Sequence, residues 1–458
     1  MGMPLAPIIF DMTRLVTRLG RLTPNGIDRV DLAYARYLSS CPLDVLVAVM
    51  GPDGKARLAS RHALVAVVDA ISHAWDEVGD APSSSPLGGV PRAQGTHSKP
   101  GRERTPRRTT GSAEFTRLAA GWFRLQRTGA LVGQNGLWPG KSLATGAPQG
   151  AVYLNVSQFP IWRPGYLAAL DRRPDVRCYF LLHDLLPIRY PEFFRPFEVQ
   201  RHVGRLQTIA KHASGIIVSS ELNRRDLMVY FRERQVRPRE VIVAPLSIEA
   251  AFRIDRRVAA GVVEGTPIVP YFVCVGTIEP RKNHLLLLHV WRELVARLGA
   301  QAPDLVLVGG KGWLYENVFD MLERCPSIMG RVRLVSDLST PSLVTLLHGA
   351  EALLMPTFAE GYGLPVAEAV QSGVPVIASD IEAFREADAP GLRRIDPTDG
   401  LGWVRAIIEH MHGEQAACLD VEQTQPPKLC GLGHVEGVIR QISTHGLDSH
   451  PGNLLTDD

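Results

Sequence analysis

The sequence predicts an α/β chain of two open, doubly wound parallel sheets. Three observations carry that prediction: two successive series of short apolar runs, longer stretches of helical period between them, and a length of 458 residues, enough to bury two sizeable cores. Strands are expected at Ile8 to Phe10, Val45 to Val49, Val152 to Leu154, Tyr179 to Leu182, Ile216 to Val218 and Val241 to Val243. A second series follows at Phe272 to Val275, Leu305 to Val308, Val332 to Val335, Ala352 to Met355 and Val374 to Ala378. Continuous apolar runs suit strands covered on both faces. After the first run, Thr23 to Val30 makes a Gly turn ahead of an amphipathic helix carrying Leu32, Tyr34 and Leu38. In the second series Leu285, Leu288, Trp291, Leu294, Val295 and Leu298 share one helical face. Strand and helix in alternation imply right-handed crossovers. The seam is expected between Pro245 and Thr266, dividing the chain into residues 1–250, residues 251–430 and a tail at 431–458.

Composition excludes several classes. With 45% hydrophobic and 21% charged residues the chain is globular, and a net charge of +3 is too small for a dedicated nucleic-acid binder. Its 6 cysteines are scattered without a C-x-x-C pair, which signals neither a zinc site nor a disulfide framework and fits a reducing cytoplasm. The amino-terminal residues Met1 to Pro7 lack the pattern of a secretory signal, and the Leu285 to Leu288 run is cut by His289 and Arg292 before it could span a bilayer. Membrane contact is therefore expected to be peripheral at most. Residues 79–111 break the alternation: Pro, Ser, Gly and Thr dominate, with Arg92, Lys99, Arg102, Arg104, Arg107 and Arg108 against Glu103. This composition predicts a disordered basic loop, either a solvated insertion or an electrostatic tether to anionic phospholipid.

The densest chemistry lies at Glu360-Gly361-Tyr362-Gly363-Leu364-Pro365-Val366-Ala367-Glu368, directly after the apolar run ending at Met355. Apolar run, Gly-rich turn and Ala/Val/Glu segment read as strand, loop and helix N-terminus, which presents backbone N–H groups to an anion such as a diphosphate. Glu360 stands at the loop mouth and Glu368 about two helical turns along, so the two can touch different parts of one elongated ligand. The rival reading is a pair of solvated charges flanking a Gly turn. A second cluster, Gly276-Thr277-Ile278-Glu279-Pro280-Arg281-Lys282-Asn283-His284, places Gly276 where backbone can approach a ligand and Arg281 and Lys282 where they can stabilise a departing diphosphate. The strand Leu305 to Val308 runs into Gly309-Gly310-Lys311-Gly312-Trp313, a further turn at a strand end. In the first half, His183 and Asp184 follow the apolar run ending at Leu182, the strand end where open α/β sheets bind ligands.

The run from Pro356 to Asp380 resembles the donor-binding signature of retaining glycosyltransferases of family 4, and the Gly276 to His284 stretch is similar to that family's phosphate-binding segment. The resemblance covers about residues 149–411 well and the first eighty loosely. It implies a GT-B fold, two Rossmann-like doubly wound parallel-sheet domains facing a central cleft, and transfer of a hexose from a nucleotide diphosphate sugar to a saccharide hydroxyl with retention of configuration. By the same resemblance Glu360 contacts the sugar, Glu368 the ribose, and Gly361, Tyr362, Gly363 and Leu364 cradle the diphosphate, with Gly276, Thr277, Gly310 and Lys311 nearby. His183 becomes a sugar contact oriented by Asp184. Gly26, Asp28 and Arg29, with Asp184, become acceptor contacts. Many family members carry Arg where this chain has Thr277, and Arg281 is the expected substitute.

By the same resemblance no cofactor and no metal are expected, with Arg281, Lys282 and helix-terminal amides left to stabilise the diphosphate. The Gly276 and Gly310 motifs look like those of bacterial enzymes that build exopolysaccharide, capsule or O-antigen, often mannosyltransferases using GDP-mannose. That likeness implies a polyprenyl-diphosphate-linked saccharide acceptor at the inner membrane face. Three alternatives remain: a GT-B nucleotide-sugar epimerase, a non-catalytic protein that keeps the pocket, and a dehydrogenase. For the last, no G-x-G-x-x-G with an acidic partner follows the first strand.

Overall fold

The computed structural model describes residues 5–19, 23–51, 53–77, 120, 141–237, 239–253, 269–387, 391–413 and 433–444. The basic segment 79–111 lies outside them. The first sheet contains β1 (Ile8–Asp11), β2 (Val45–Met50), β3 (Ala56–Ser60), β4 (Val152–Asn155), β5 (Arg177–Leu182), β6 (Gly215–Val218) and β7 (Glu240–Val243), in the order β3-β2-β1-β4-β5-β6-β7. All its pairings are parallel except β2 with β3. The second contains β8 (Tyr271–Val275), β9 (Asp304–Val308), β10 (Val332–Val335), β11 (Leu353–Met355), β12 (Val376–Ser379) and β13 (Leu392–Ile395), parallel throughout, in the order β10-β9-β8-β11-β12-β13. Both sheets reverse their winding once, between β1 and β4 and between β8 and β11, and such switch points open crevices at the strands' carboxyl ends.

The helices that bear on the site are α1 (Gly26–Ser40), α2 (Arg61–Glu77), α3 (Pro196–His212), α4 (Glu221–Glu233), α5 (His284–Leu298), α6 (Glu316–Arg324), α7 (Thr340–His348), α8 (Leu364–Gln371), α9 (Glu382–Ala387), α10 (Gly400–Met411) and α11 (Gly433–Thr444). Among the described residues no helix is long and apolar enough to cross a membrane. The strands of the second sheet feed two cores. Val273, Val306 and Val376 pack on one face, Phe272, Leu305 and Ile377 on the other, the period-2 alternation of a sheet buried on both sides. On α5 the buried positions are Leu287, Leu288, Val290, Trp291 and Leu294; Leu285, Val295 and Leu298, expected on the same face, are only partly buried.

Every strand expected from the sequence is present. Two were missed, β3 (Ala-Arg-Leu-Ala-Ser) and β13 (Leu-Arg-Arg-Ile), both sheet edges whose polar residues interrupt the apolar run. Leu246 packs in the first core and Ile248 in the second. The tail is corrected. Helix α11 returns to the first domain, burying Val435, Val438, Ile439 and Ile442 in its core, with Tyr34 Oη 3.1 Å from His434 Nε2.

The domains touch across the cleft through polar and aromatic contacts. The Glu386 carboxylate of α9 accepts from the N–H groups of Glu221 and Leu222 at 2.7 and 2.9 Å, an anion on the free amides at the start of α4. Phe193 and Phe358 stack with centroids 5.6 Å apart, and Trp313 Nε1 donates to the Phe193 carbonyl at 2.8 Å.

Candidate active site

Glu360 leaves the loop after β11, and Arg281 and Lys282 leave the loop after β8, so the second sheet's switch point brings them together. Arg281 Nη1 lies 2.9 Å from one Glu360 oxygen and Lys282 Nζ 2.5 Å from the other. Arg281 also meets Glu279 at 2.8 Å and donates to the Ala359 carbonyl at 2.6 Å. Burial would raise the Glu360 carboxyl, but the two cations outweigh it and hold its pKa at about 2. Glu279, buried with less compensation, is pushed up. The bend is fixed by Asn283, which sits in the left-handed region at φ 55° and donates to the carbonyls of Pro356 and Pro397. Gly309, at the end of β9, is required by contact. A Cβ on Gly309 would lie 2.0 Å from the Gly276 carbonyl oxygen, so the ends of β8 and β9 approach backbone to backbone.

The cradle expected at the next turn has the geometry for an anion. Gly363 is the cap of α8 at φ 88°, Pro365 occupies the first helical turn, and the N–H groups of Gly363 and Leu364 make no hydrogen bond among the described residues. Tyr362 and Leu364 pack against the first domain's core, while Gly361 lies so close to Asp184 that a Cβ there would sit 2.6 Å from the Asp184 Cβ. Glu368, one helical face along, is buried and paired with Arg29 of the first domain at 2.5 Å. Burial raises its pKa and Arg29 opposes the rise. Arg29 also lies 3.7 Å from Glu249 and covers the Phe252 ring.

The first-domain residues divide. His183, at the end of β5, directs Nε2 to the Val156 carbonyl at 2.8 Å, and burial with the nearby Arg14 lowers its pKa to about 3, so the ring is a neutral donor. Asp184 does not reach His183; it accepts from the Leu186 N–H at 3.0 Å and faces Gly361. Asp28, expected as an acceptor contact, is buried in a capping box with Asn25 and an ion-pair set with Arg14 at 2.7 Å and Arg18 at 2.9 Å. Gly26 begins α1 with Leu364 against its Cα. Lys311 holds its ammonium over the rings of Tyr315 and Phe319, and Gly310 accepts from the Ile278 N–H at 3.0 Å. Thr277 is exposed, whereas Arg281 reaches Glu360.

Asn223 carries a role that sequence reasoning gave only to its segment. Its Nδ2 donates to the His183 carbonyl, Ser219 Oγ and the Gly361 carbonyl at 3.0, 2.9 and 2.8 Å, tying the two halves at the mouth of the donor loop. A lone Asn on a helix offers no signal for such a bridge, because its partners across the cleft and at the end of β5 are backbone carbonyls. A cavity of about 300 Å³ beside Trp162, Arg163 and Thr208 lies in the first domain and includes none of the expected donor residues.

Part of the chain and its fold have counterparts among known proteins. Residues 269–412 match the family described as glycosyl transferases group 1. The serotype-specific mannosyltransferase WbdA of Escherichia coli is 30% identical over 221 residues, 45% of this chain and 26% of that protein. O-antigen chain mannosyltransferase B of Escherichia coli is 27% identical over 243 residues, 51% of this chain and 60% of that one. The match thus spans about a quarter of the first relative's length and three fifths of the second's. Sucrose-phosphate synthase from Thermosynechococcus elongatus superposes with TM-score 0.52 at 15% identity, covering 89% of this chain and 90% of that one. Anabaena Alr3699/HepE in complex with UDP gives TM-score 0.52 at 13% identity over 96% of each chain. The fold is GT-B.

Proposed function

We propose that the chain is a retaining hexosyltransferase that moves a hexose, with mannose favoured, from a nucleotide diphosphate sugar to a saccharide in bacterial surface polysaccharide synthesis. The observation that carries the reading is Glu360 clamped by Arg281 and Lys282 beside the free amides of Gly363 and Leu364. In this reading the diphosphate lies on the amides of α8 with Lys282 and Arg281 alongside, and Glu360 and neutral His183 contact the sugar from opposite domains. Glu368 takes the ribose hydroxyls, so Arg29 must share its carboxylate with the ligand.

The bond from the anomeric carbon to the diphosphate oxygen breaks as negative charge builds on that oxygen, and the two cations stabilise it. The acceptor hydroxyl bonds to the same carbon on the same face and passes its proton to the departing diphosphate. Mannose is favoured by the motif likeness and by the two mannosyltransferase relatives, and GDP by the motif likeness alone. The acceptor is a saccharide carried on a polyprenyl diphosphate, with peripheral contact at an anionic membrane face.

The test is incubation of the purified protein with a panel of nucleotide sugars, with and without saccharide acceptors, following nucleoside diphosphate release and the anomer formed. Acceptor-dependent release with retained configuration, undiminished by a chelator, is the expected result. Turnover of the donor with no acceptor would instead indicate an epimerase, a reading that the family match and the relatives do not support.

A further inference from the structure

We propose that the first domain holds an oxyanion site for a phosphate group on the acceptor, formed by Arg14, Arg205 and His202 beside His183. This rests on the glycosyl-transfer reading and adds the chemical class of its second substrate. The residues converge at the carboxyl ends of the first sheet. Arg14 follows β1 at the switch point, His183 follows β5, and His202 and Arg205 lie on α3. Arg205 Nη1 is 3.5 Å from His202 Nδ1, and its guanidinium lies 4.9 Å from the centre of the Trp162 ring. Trp162 also lines the 300 Å³ cavity with Arg163, Thr208 and Lys211, a cavity that Arg14, His183, His202 and Arg205 do not line.

The cluster has few ionised partners: Asp31 also lies near Arg14, but burial raises its carboxyl pKa. Arg14 and Arg18 share Asp28, while Arg201 and Arg205 share Glu198 at 3.0 and 3.8 Å. Asp184 also faces the group, but burial raises its carboxyl pKa. Among the described residues Arg205 Nε is buried without a hydrogen-bond partner, and Nε2 of His202, a residue 3% exposed, makes no hydrogen bond of good geometry although the His202 ring bears on the Asp184 backbone carbonyl. Burial lowers the Arg205 pKa, and Arg14 and Arg201 lower it further against Glu198 and Asp184. Arg14 and Arg205 both bear on His183 in the same sense. Like charges gathered around an unpartnered buried donor are costly unless an anion enters, and a tetrahedral oxyanion offers acceptors to several donors at once.

A phosphate monoester on the acceptor sugar and the diphosphate of a lipid-linked acceptor share this chemistry. The experiment offers one saccharide in three forms, as a methyl glycoside, a sugar phosphate and an alkyl diphosphate, to the full chain with whichever nucleotide sugar it turns over. The expected result is a KM about ten-fold or more lower for one phosphorylated form than for the methyl glycoside, with the preference erased in Arg205→Ala and partly kept in Arg205→Lys. The form preferred identifies the source. No preference in the wild type, or a preference that survives Arg205→Ala, overturns the proposal. Should no donor be turned over, the transfer reading fails separately and heat protection by inorganic phosphate decides. Lys282→Ala protein, read against itself without phosphate, is expected to keep protection that Lys282→Ala/Arg205→Ala protein loses; no protection in the single variant overturns the site.

Discussion

Both domains gather cations at the switch point of a sheet, but they compensate them differently. In the second domain Arg281 and Lys282 close on Glu279 and Glu360, and the Glu360 carboxyl is held at a pKa of about 2. In the first, Arg14 and Arg205 oppose one another, and Arg205 Nε is buried without a partner among the described residues. The difference teaches what each side is prepared for. A closed ion-pair circuit orients its members before the ligand arrives, so a donor bound there exchanges one set of contacts for another. An undercompensated cluster gains its contacts only when an anion enters.

The largest expected effect breaks the closed circuit. Glu360→Gln keeps the shape but leaves Arg281 and Lys282 undercompensated, and we expect kcat to fall about 10²- to 10³-fold, the scale of losing one preorganised group, in a steady-state assay. Because the folded pKa of Glu360 is below its unfolded value, its stabilising contribution is present above about pH 4.5 and is lost as pH falls toward about 2. Acid unfolding curves of wild type and Glu360→Gln should therefore converge below that window.

Next is the contact between the halves. Gly361→Val places a Cβ 2.6 Å from the Asp184 Cβ, and either the loop or the domain must move, at a cost of about 1–3 kcal/mol in denaturant unfolding. Donor KM should rise with it. An unchanged KM would show that the loop does not need the first domain to hold its shape. Asn223→Ala leaves three acceptors without their donor and should cost about 1–2 kcal/mol, read as faster hydrogen exchange at Gly361 to Leu364.

A pH-dependent effect, small near pH 4, sharpens the first-domain side. Asp31 is fully buried near Arg14, Asp28 and Asp11, both its oxygens lack partners among the described residues, and burial pushes its pKa well up. A raised folded pKa gives stability below the unfolded value that is lost as pH climbs through the folded one. Asp31→Asn should flatten that decline and gain about 1.4 kcal/mol for each pH unit of it, measured as melting temperature against pH above 4.

Much of this was legible in the sequence because parallel strands buried on both faces are written as unbroken apolar runs; all eleven expected runs are strands. β3 and β13 were not, since an edge strand buries one side only and its Arg residues erase the pattern. Glu360, Arg281 and Lys282 were found together because two Gly-rich loops at strand ends announce them. The pairing of Glu368 with Arg29, the Asn223 bridge and the return of α11 to the first domain depend on contacts between residues 339, 138 and 400 positions apart, which no local pattern encodes. Asp28 misled for the opposite reason: a polar residue beside a Gly turn looks available until its cap and its two arginines are seen.

The central claim is that the nucleotide diphosphate lies on the amino end of α8. Crystals of the full chain soaked separately with UDP and GDP test it most directly. The account predicts, for at least one of them, phosphate oxygens within hydrogen-bonding distance of the Gly363 and Leu364 amides and of Lys282 Nζ, with the ribose at Glu368 and Arg29 displaced from it. A diphosphate bound elsewhere, with the Lys282–Glu360 pair intact and those amides empty, would contradict it.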